Sequence, residues 1–234
     1  SPFYEATNNG TDWYGKLTAQ TVTSNSITGV VSYAQLWEAS AMLPASAARN
    51  VWFGRYAGAS AQALRFSSSN VALADLCTEP TPSLSVCSAA LIGQRLKVGG
   101  STGTPITATQ AVSYLLGDQS LESSTLRKRT TRLGDIVNSA PVVVAPTDDY
   151  GYRSMAGATA GSYDPYNYAA YLTTKQSRPR VVFAGANDGM LHAFDGATGT
   201  ERFGYIPTTA LGHMGNLLFP YNAADKNNQI FQHR

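Results

Sequence analysis

Charge is what this sequence has least of. Lysine, arginine, aspartate and glutamate make up 14% of its 234 residues, against roughly 25% in ordinary soluble domains. The formal net charge is +2, too small for bulk electrostatics to hold nucleic acid. Histidine occurs only three times, at widely separated positions, so a histidine metal cage would need a coincidence of folding. No apolar run approaches the ~20 residues that span a bilayer. There is no G-x-S-x-G elbow, H-E-x-x-H, Walker loop or C-x-x-C, which removes the common signatures of acyl transfer, zinc proteolysis, nucleotide binding and dithiol exchange. GGSTGT at 99–104 has phosphate-friendly glycines but no lysine and no strand-to-helix context, and reads as a plain turn.

Cysteine is nearly absent too. Cys77 and Cys87 stand at the two ends of CTEPTPSLSVC, a loop whose prolines and hydroxyls let its ends meet. Either a disulfide closes it or both thiols are buried and free. The rest of the composition looks secreted and favours the bridge. Neither the spacing nor a neighbouring histidine pair suits zinc. What is abundant is Gly 21, Pro 11 and Tyr 13, with Ser, Thr and Ala, as expected of an extracellular, turn-rich β protein. The chain opens on SPFYEAT without a basic-then-apolar leader and ends on NNQIFQHR just after an apolar pair. We expect a piece of a longer polypeptide, with any signal peptide removed or lying outside it.

Period-2 alternation marks the first strands. Trp13, Gly15, Leu17 and Ala19 alternate with Lys16, Thr18 and Gln20, and GVVSYAQLWEASAMLP follows a Ser/Asn/Gly turn. NVWFGRYAG and AQALRFS make a second strand region. Residues 72–98 hold the cysteine loop and the mixed piece ALIGQRLKV. In TATQAVSYLLG (107–117), Ala111, Val112, Leu115 and Leu116 recur at helical spacing, with Thr107 or Thr109 to cap the start and Gly117 to end it. Arg127, Lys128, Arg129 and Arg132 could touch an anionic partner, but such a run is more often a solvated lead-in to the next strand. LGDIVNSAPVVVAP then supplies that buried strand. Asn9-Gly10-Thr11 satisfies the glycosylation sequon, a signal of little weight alone.

Residues 146–179 form a Tyr/Gly/Ala/Pro-rich insertion between VVV and RVVFAG, two strands that should lie side by side. A loop this long is functional or disordered, and its six tyrosines favour order. Tyr150, Tyr152, Tyr163, Tyr166, Tyr168 and Tyr171 are candidates for surface contact, since tyrosine presents large area at low entropy cost; packing of the insertion onto its own strands is the equal alternative. Asp148, Asp149 and Asp164 are weak candidates for a cation, and more simply turn-capping aspartates.

FAGANDGMLHAFD and GATGTERFGYI (183–206) read as an antiparallel ladder. Gly189 and Gly199 permit the positive φ of tight hairpins, and Asp188 and Asp195 brace those turns. His192 sits mid-strand and reads as a packed or solvated strand residue. Asp12, Gly15, Leu17 and Ala19 echo Asp188, Gly189, Leu191 and Ala193, apart from a two-residue insertion, as repeated meanders do.

These blocks carry a resemblance. LGDIVNSAPVVV (133–144), RVVFAGANDGMLHAFDGATGTERFGYIP (180–207), the helix finish Leu116-Gly117-Asp118-Gln119-Ser120, the basic RKRTTRLGD and the opening DWYGKLTA resemble the C-terminal β-propeller of the type IV pilus tip-associated, PilC/PilY-like adhesins. The resemblance covers residue 11 to the end. It implies a mainly β fold, a partial β-propeller of the quinoprotein-like type with a short helix and long inserted loops. The whole of 1–234 would be one such domain: first blades at 11–70, disulfide loop and helix at 71–120, a blade with the tyrosine-rich insertion at 133–207, and the start of another at 208–234.

By the same resemblance the chain is not an enzyme. It would support pilus assembly, adhesion and twitching motility at the extracellular pilus tip. Its partners would be minor pilins, a host or abiotic surface and the remaining propeller segment, with no nucleic acid and no membrane span. The family controls pilus extension and retraction through a calcium loop of the D-x-D-x-D type. No such run occurs here, so no cofactor is expected in this stretch and calcium belongs to the rest of the domain. Two alternatives stay open: a purely structural pilus-priming subunit, or a fragment of a quinone-dependent dehydrogenase, whose adjacent cysteine pair Cys77 and Cys87 do not match.

Overall fold

Alternating side chains and glycine-bearing turns give antiparallel hairpins, and the hairpins gather into two sheets. The computed structural model describes residues 3–7, 15–78, 87–122, 124–137, 139–151 and 168–220. β1 (Phe3–Thr7), β2 (Lys16–Ser24) and β3 (Val31–Glu38) form an antiparallel sheet in that order. β4 (Val51–Ala57) and β5 (Ser60–Arg65) form a hairpin. After β6 (Lys97–Val98) and β7 (Thr104–Pro105), a small pair around the GGSTG turn, come β8 (Val142–Val144), β9 (Val181–Gly185), β10 (Leu191–Asp195) and β11 (Glu201–Ile206). The larger sheet has the order β5-β4-β11-β10-β9-β8.

β8 to β11 run as a four-stranded antiparallel meander. The expected neighbours VVV and RVVFAG do pair, Val142 with Phe183 and Val144 with Val181, across the whole insertion. The first hairpins divide between the two sheets. β2 and β3 stay in the small sheet, whereas β4 joins β11 in parallel, Gly204 opposite Val51 and Ile206 opposite Phe53. Two contacts explain the junction: the Gly204 amide donates to the Asn50 carbonyl, and Arg49, just before β4, is ion-paired to Glu201 at the start of β11. The described residues do not close a ring of blades.

The register puts Val51, Gly204, His192 and Ala184 in one row across the large sheet, and this face carries both cores. Toward β9, Leu17, Ala19 and Trp37 of the small sheet pack on Val182, Ala184, Phe194, Leu133 and Ile136. Toward β4, Val51, Phe53 and Ile206 meet a helical layer through Leu76, Ile92, Val112, Leu115, Met214 and Leu218. Each fully buried side chain of this size contributes about 1.5–3 kcal/mol.

The helices are short: α1 (Ala39–Met42), α2 (Ala89–Arg95), α3 (Ala108–Leu115), α4 (Tyr168–Lys175) and α5 (Thr208–Leu211). α3 begins on Thr107, whose Oγ1 accepts from the Gln110 amide at 3.2 Å while Gln110 Oε1 accepts from the Thr107 amide at 2.9 Å, a capping box. It ends as Gly117 turns to φ +107°. α2 lies in the piece that read as mixed. Ser88 caps it, accepting from the Leu91 amide at 3.0 Å, and Ile92 and Leu96 are buried. Gly93 in its middle weakened the helical signal. Among the described residues no helix is long and apolar enough to cross a membrane.

Candidate functional site

Two of the blocks singled out in the sequence meet at the turn between β9 and β10. The Asn-Asp-Gly bend needs a left-handed residue, and Gly189 supplies it at φ +86°. Asp188 Oδ1 accepts from the Met190 amide at 3.1 Å and closes the turn from inside. The Leu133-Gly134-Asp135 segment then lies across it. The Gly134 amide donates to Asp188 Oδ2 at 3.2 Å, the Asn187 amide to the Asp135 carbonyl at 2.9 Å, and Asn187 Nδ2 to Asp135 Oδ2 at 2.8 Å. A Cβ on Gly134 would stand 2.5 Å from the Asp188 nitrogen, so only glycine permits this approach. Gly15 abuts the same backbone from β2's side. Gly15 has no left-handed φ, so its echo of Gly189 is one of position and not of turn geometry.

Below Asp188 sits a set of four charged groups. His192 Nε2 is 3.0 Å from Asp188 Oδ2, and its Nδ1 is 2.7 Å from Glu201 Oε1. Arg49 completes the set, Nε to Glu201 Oε2 and Nη2 to Oε1, both at 2.7 Å, with Nη1 on the Leu116 carbonyl at the end of α3. Arg49, His192 and Glu201 are wholly buried; only Asp188 reaches toward solvent. Both ring nitrogens face carboxylates, so both donate and the imidazole is charged. Burial works against that charge, but Asp188 and then Glu201 outweigh it and raise the His192 pKa to about 9. Burial likewise opposes ionisation of Glu201, yet its bonds to Arg49 and His192 hold it at about 2. Asp188 is also lowered: burial is overcome by His192, Arg49 and the Gly134 amide. Two cations and two anions balance, and each side-chain heteroatom of the four has a partner.

The opening above Asp188 is a small cleft of about 60 Å³, lined by Tyr114, Arg127, Arg132, Asp135 and Asn187 among others. Ligand pockets run to roughly 300–1,000 Å³, so this one suits water. The basic run beside it differs from the expected solvated lead-in. Arg129 Nε is 2.7 Å from Glu122 Oε1 and its guanidinium lies 3.8 Å from the Tyr114 ring centroid. Arg132 donates to the carbonyls of Leu43 and Pro44 at 2.6 and 2.9 Å. Both guanidiniums clamp loops to the core, because this chain has few other charges to satisfy those carbonyls.

The second turn is organised in the same way. Asp195 Oδ1 accepts from the amides of Ala197 and Thr198, at 2.9 and 3.1 Å, and Oδ2 faces Arg202 at 2.9 Å. Burial would raise the Asp195 pKa slightly, and these bonds lower it instead. Gly199, at φ +74°, lies flat against the Trp37 ring, whose Nε1 donates to the Gly196 carbonyl at 3.2 Å. The turn is thereby the seat of the small sheet.

Cys77 and Cys87 are joined as a disulfide, with Cα atoms 5.3 Å apart, and it packs on Gly215. In the insertion, α4 is pinned to the turn before it: Tyr168 Oη donates to the Asp149 carbonyl and Lys175 Nζ to the Asp148 carbonyl. Asp148 and Asp149 cap backbone amides, those of Ala145 and Gly151. Tyr168 and Tyr171 stack with centroids 6.0 Å apart, and Lys175 Nζ lies 4.7 Å from the Tyr150 ring. Tyr150 and Tyr171 are exposed while Tyr168 is half-buried. Tyr152, Tyr163, Tyr166, Asp164 and the sequon lie outside the described residues. Among the described residues no group of three or more His, Cys, Asp or Glu is placed to hold a metal ion. The partners of His192, Arg49 and Glu201, escaped sequence reasoning. Their one signal was that charged residues flank otherwise apolar strands in a charge-poor chain.

The β9–β10 turn and the Leu133-Gly134-Asp135 segment that lies across it fall inside a part of the chain that known proteins share. Residues 133–216 match the family described as the PilY1 beta-propeller domain. The chain is PilY1-like. A type IV pilus biogenesis factor PilY1 homolog of Xylella fastidiosa (strain Temecula1 / ATCC 700964) is 34% identical over 234 residues, 94% of this chain and 15% of that protein. A second homolog of the same organism is 40% identical over 117 residues, 48% of this chain and 9% of its own length. PilY1 of Pseudomonas aeruginosa (strain UCBPP-PA14) is 35% identical over 108 residues, 46% of this chain and 9% of its length. The PilY1-like chain thus spans a small fraction of the curated relatives it matches. No solved structure matches it significantly.

Proposed function

We propose that this chain is part of the propeller of a non-enzymatic type IV pilus factor, exported through periplasm and outer membrane and displayed at the pilus tip. There it supports pilus assembly, surface adhesion and twitching motility. The observation that carries the reading is the junction: the two blocks shared with PilY1 proteins are bonded to each other through Gly134, Asp135, Asn187 and Asp188. The polar groups nearest the cleft are neutralised by one another, the chemistry of a frame that holds loops and not of a reaction centre. The meander β8–β11, with its insertion between β8 and β9, is one blade of a quinoprotein-like propeller, since such four-stranded units are its building block. Tyr150 and Tyr171, with Tyr152, Tyr163 and Tyr166 on the same insertion, are the contact residues for a surface. Minor pilins and the remaining propeller are the assembly partners, and calcium belongs to another part of the longer protein.

The test is genetic, in a piliated bacterium carrying the longer protein. A Tyr150→Ser, Tyr171→Ser double variant should keep its pili and lose surface attachment. If attachment is unchanged while minor pilins still co-purify, the role is structural priming alone. Removal of residues 133–216 should abolish piliation and twitching; normal pili and twitching would reject the reading. A quinone absorbance band in the purified protein would turn it toward the dehydrogenase alternative.

A further inference from the structure

β8 to β11 carry their polar groups on the wrong side for a sheet that meets water. An antiparallel sheet with one wet face alternates apolar-in and polar-out. β2 keeps that rule, with Leu17 and Ala19 in the core and Lys16, Thr18 and Gln20 alternating with them. The meander inverts it: His192 and Glu201 are buried on the inner side, and the outer face is apolar. The register sets Val142, Phe183, Ala193 and Phe203 in one row across that face. Gly185, Leu191, Tyr205 and Trp52 make the next row. Phe183 and Phe203 flank the buried Ala193 with ring centroids 6.2 Å apart, while Val142, Leu191 and Tyr205 are exposed. Charge is confined to the margins, Arg65 beside the Trp52 ring and Arg202 paired with Asp195.

Contiguous apolar faces on soluble proteins mark contact surfaces. We propose that the outer face of β8–β11 packs against another β-sheet of the same longer polypeptide. The inner face of the meander shows the mode, since it already takes a sheet: Leu17, Ala19 and Trp37 of the small sheet lie on Val182, Ala184 and Phe194. The outer face has the relief for the same packing. Ala193 sits between two phenylalanines and Gly185 beside Leu191, leaving hollows that a facing sheet fills at about 10 Å separation. The length of the relatives shows where that sheet comes from. This chain is 15% of the Xylella fastidiosa homolog that it matches over 94% of its own length, so most of such a polypeptide lies outside it. All four strands fall within 133–216, the stretch matched to a propeller domain, and propellers repeat four-stranded sheets within one chain. The inference rests on the propeller reading above and adds the surface that the remaining propeller occupies.

The experiment is photo-crosslinking in the longer protein, with a Tyr205→benzoylphenylalanine variant illuminated and its peptides mapped by mass spectrometry. The expected adduct joins position 205 to a residue of the same polypeptide outside this 234-residue stretch, with no larger species on a denaturing gel. Hydroxyl-radical footprinting of the unaltered longer protein needs no substitution. Tyr205 and Tyr171 are 39% and 42% exposed, so on bare surfaces the two should oxidise alike. In the longer protein Tyr205 should oxidise severalfold more slowly than Tyr171. An adduct with a second copy or with another protein overturns the proposal, and so does equal oxidation of the two tyrosines. Piliation after removal of residues 133–216 separates this inference from the pilus reading. A Tyr205 left open in a protein whose pili depend on those residues rejects the covered face alone. A crosslink within the chain, where pili survive the removal, keeps the covered face and rejects the pilus role.

Discussion

Around Asp188, four charged side chains sit together with each heteroatom paired and three of the four wholly out of water. Along the ribbon from Thr21 to Leu36 no residue is charged and none is buried. A chain this poor in charge would be expected to keep its charges on the surface for solubility. It buries Arg49, His192 and Glu201 instead, and the half-buried Arg129 and Arg132 fasten loops to the core. Order in this molecule therefore follows the buried ion pairs, and the surface ribbon is held mainly by its own ladder.

The sharpest way to break that contrast is to remove one charge from the junction. Arg49→Ala leaves Glu201 buried against His192 alone, and should cost about 3–5 kcal/mol, read from the urea midpoint of the purified chain. A loss below 1 kcal/mol would put the pair in the class of surface salt bridges.

The pH dependence should be next in size. His192 is raised from 6.5 to about 9, so its contribution is complete below about pH 6.5 and lost as pH climbs through 9. Glu201 is lowered from 4.5 to about 2, so its contribution is complete above about pH 4.5 and lost as pH falls through 2. Stability should be level between about 4.5 and 6.5 as far as these two groups decide it, with an alkaline decline on the order of 3 kcal/mol. Thermal unfolding of the parent and of His192→Gln across pH 6–10 checks it: the alkaline limb should flatten in the variant.

Reducing the disulfide between Cys77 and Cys87 should cost about 2–3 kcal/mol through the short loop it closes, measured as the fall in Tm on adding reductant. Least of all, Ile27→Ser at the ribbon tip, where Ile27 is 93% exposed, should change stability by under about 0.5 kcal/mol. A larger effect would mean that the ribbon is covered in solution.

Sequence reasoning reached the elements whose signal is local. α3 carries its cap, its apolar stripe and its terminal glycine within 107–117, and VVV and RVVFAG are apolar enough to demand each other. It failed where the deciding partner is remote. β4 read as part of a second strand region with no stated neighbour, because nothing near Val51 names Glu201, far along the chain. α2 hid behind Gly93, and α4 behind the tyrosines around it, since Tyr168 and Lys175 are fixed by carbonyls rather than by periodicity. His192 was legible as a packed strand residue but not as an imidazolium, because its charge is set by Asp188 one turn away and by Glu201 across the ladder.

Amide hydrogen exchange resolved by residue tests the central claim most directly. The amides of Gly134, Asn187 and Met190, all bonded within the junction, should exchange only through global unfolding, with the slowest rates in the chain. Those of residues 21–36 should exchange orders of magnitude faster through local opening. Equal protection in the two regions, or a junction that opens first, would contradict the account.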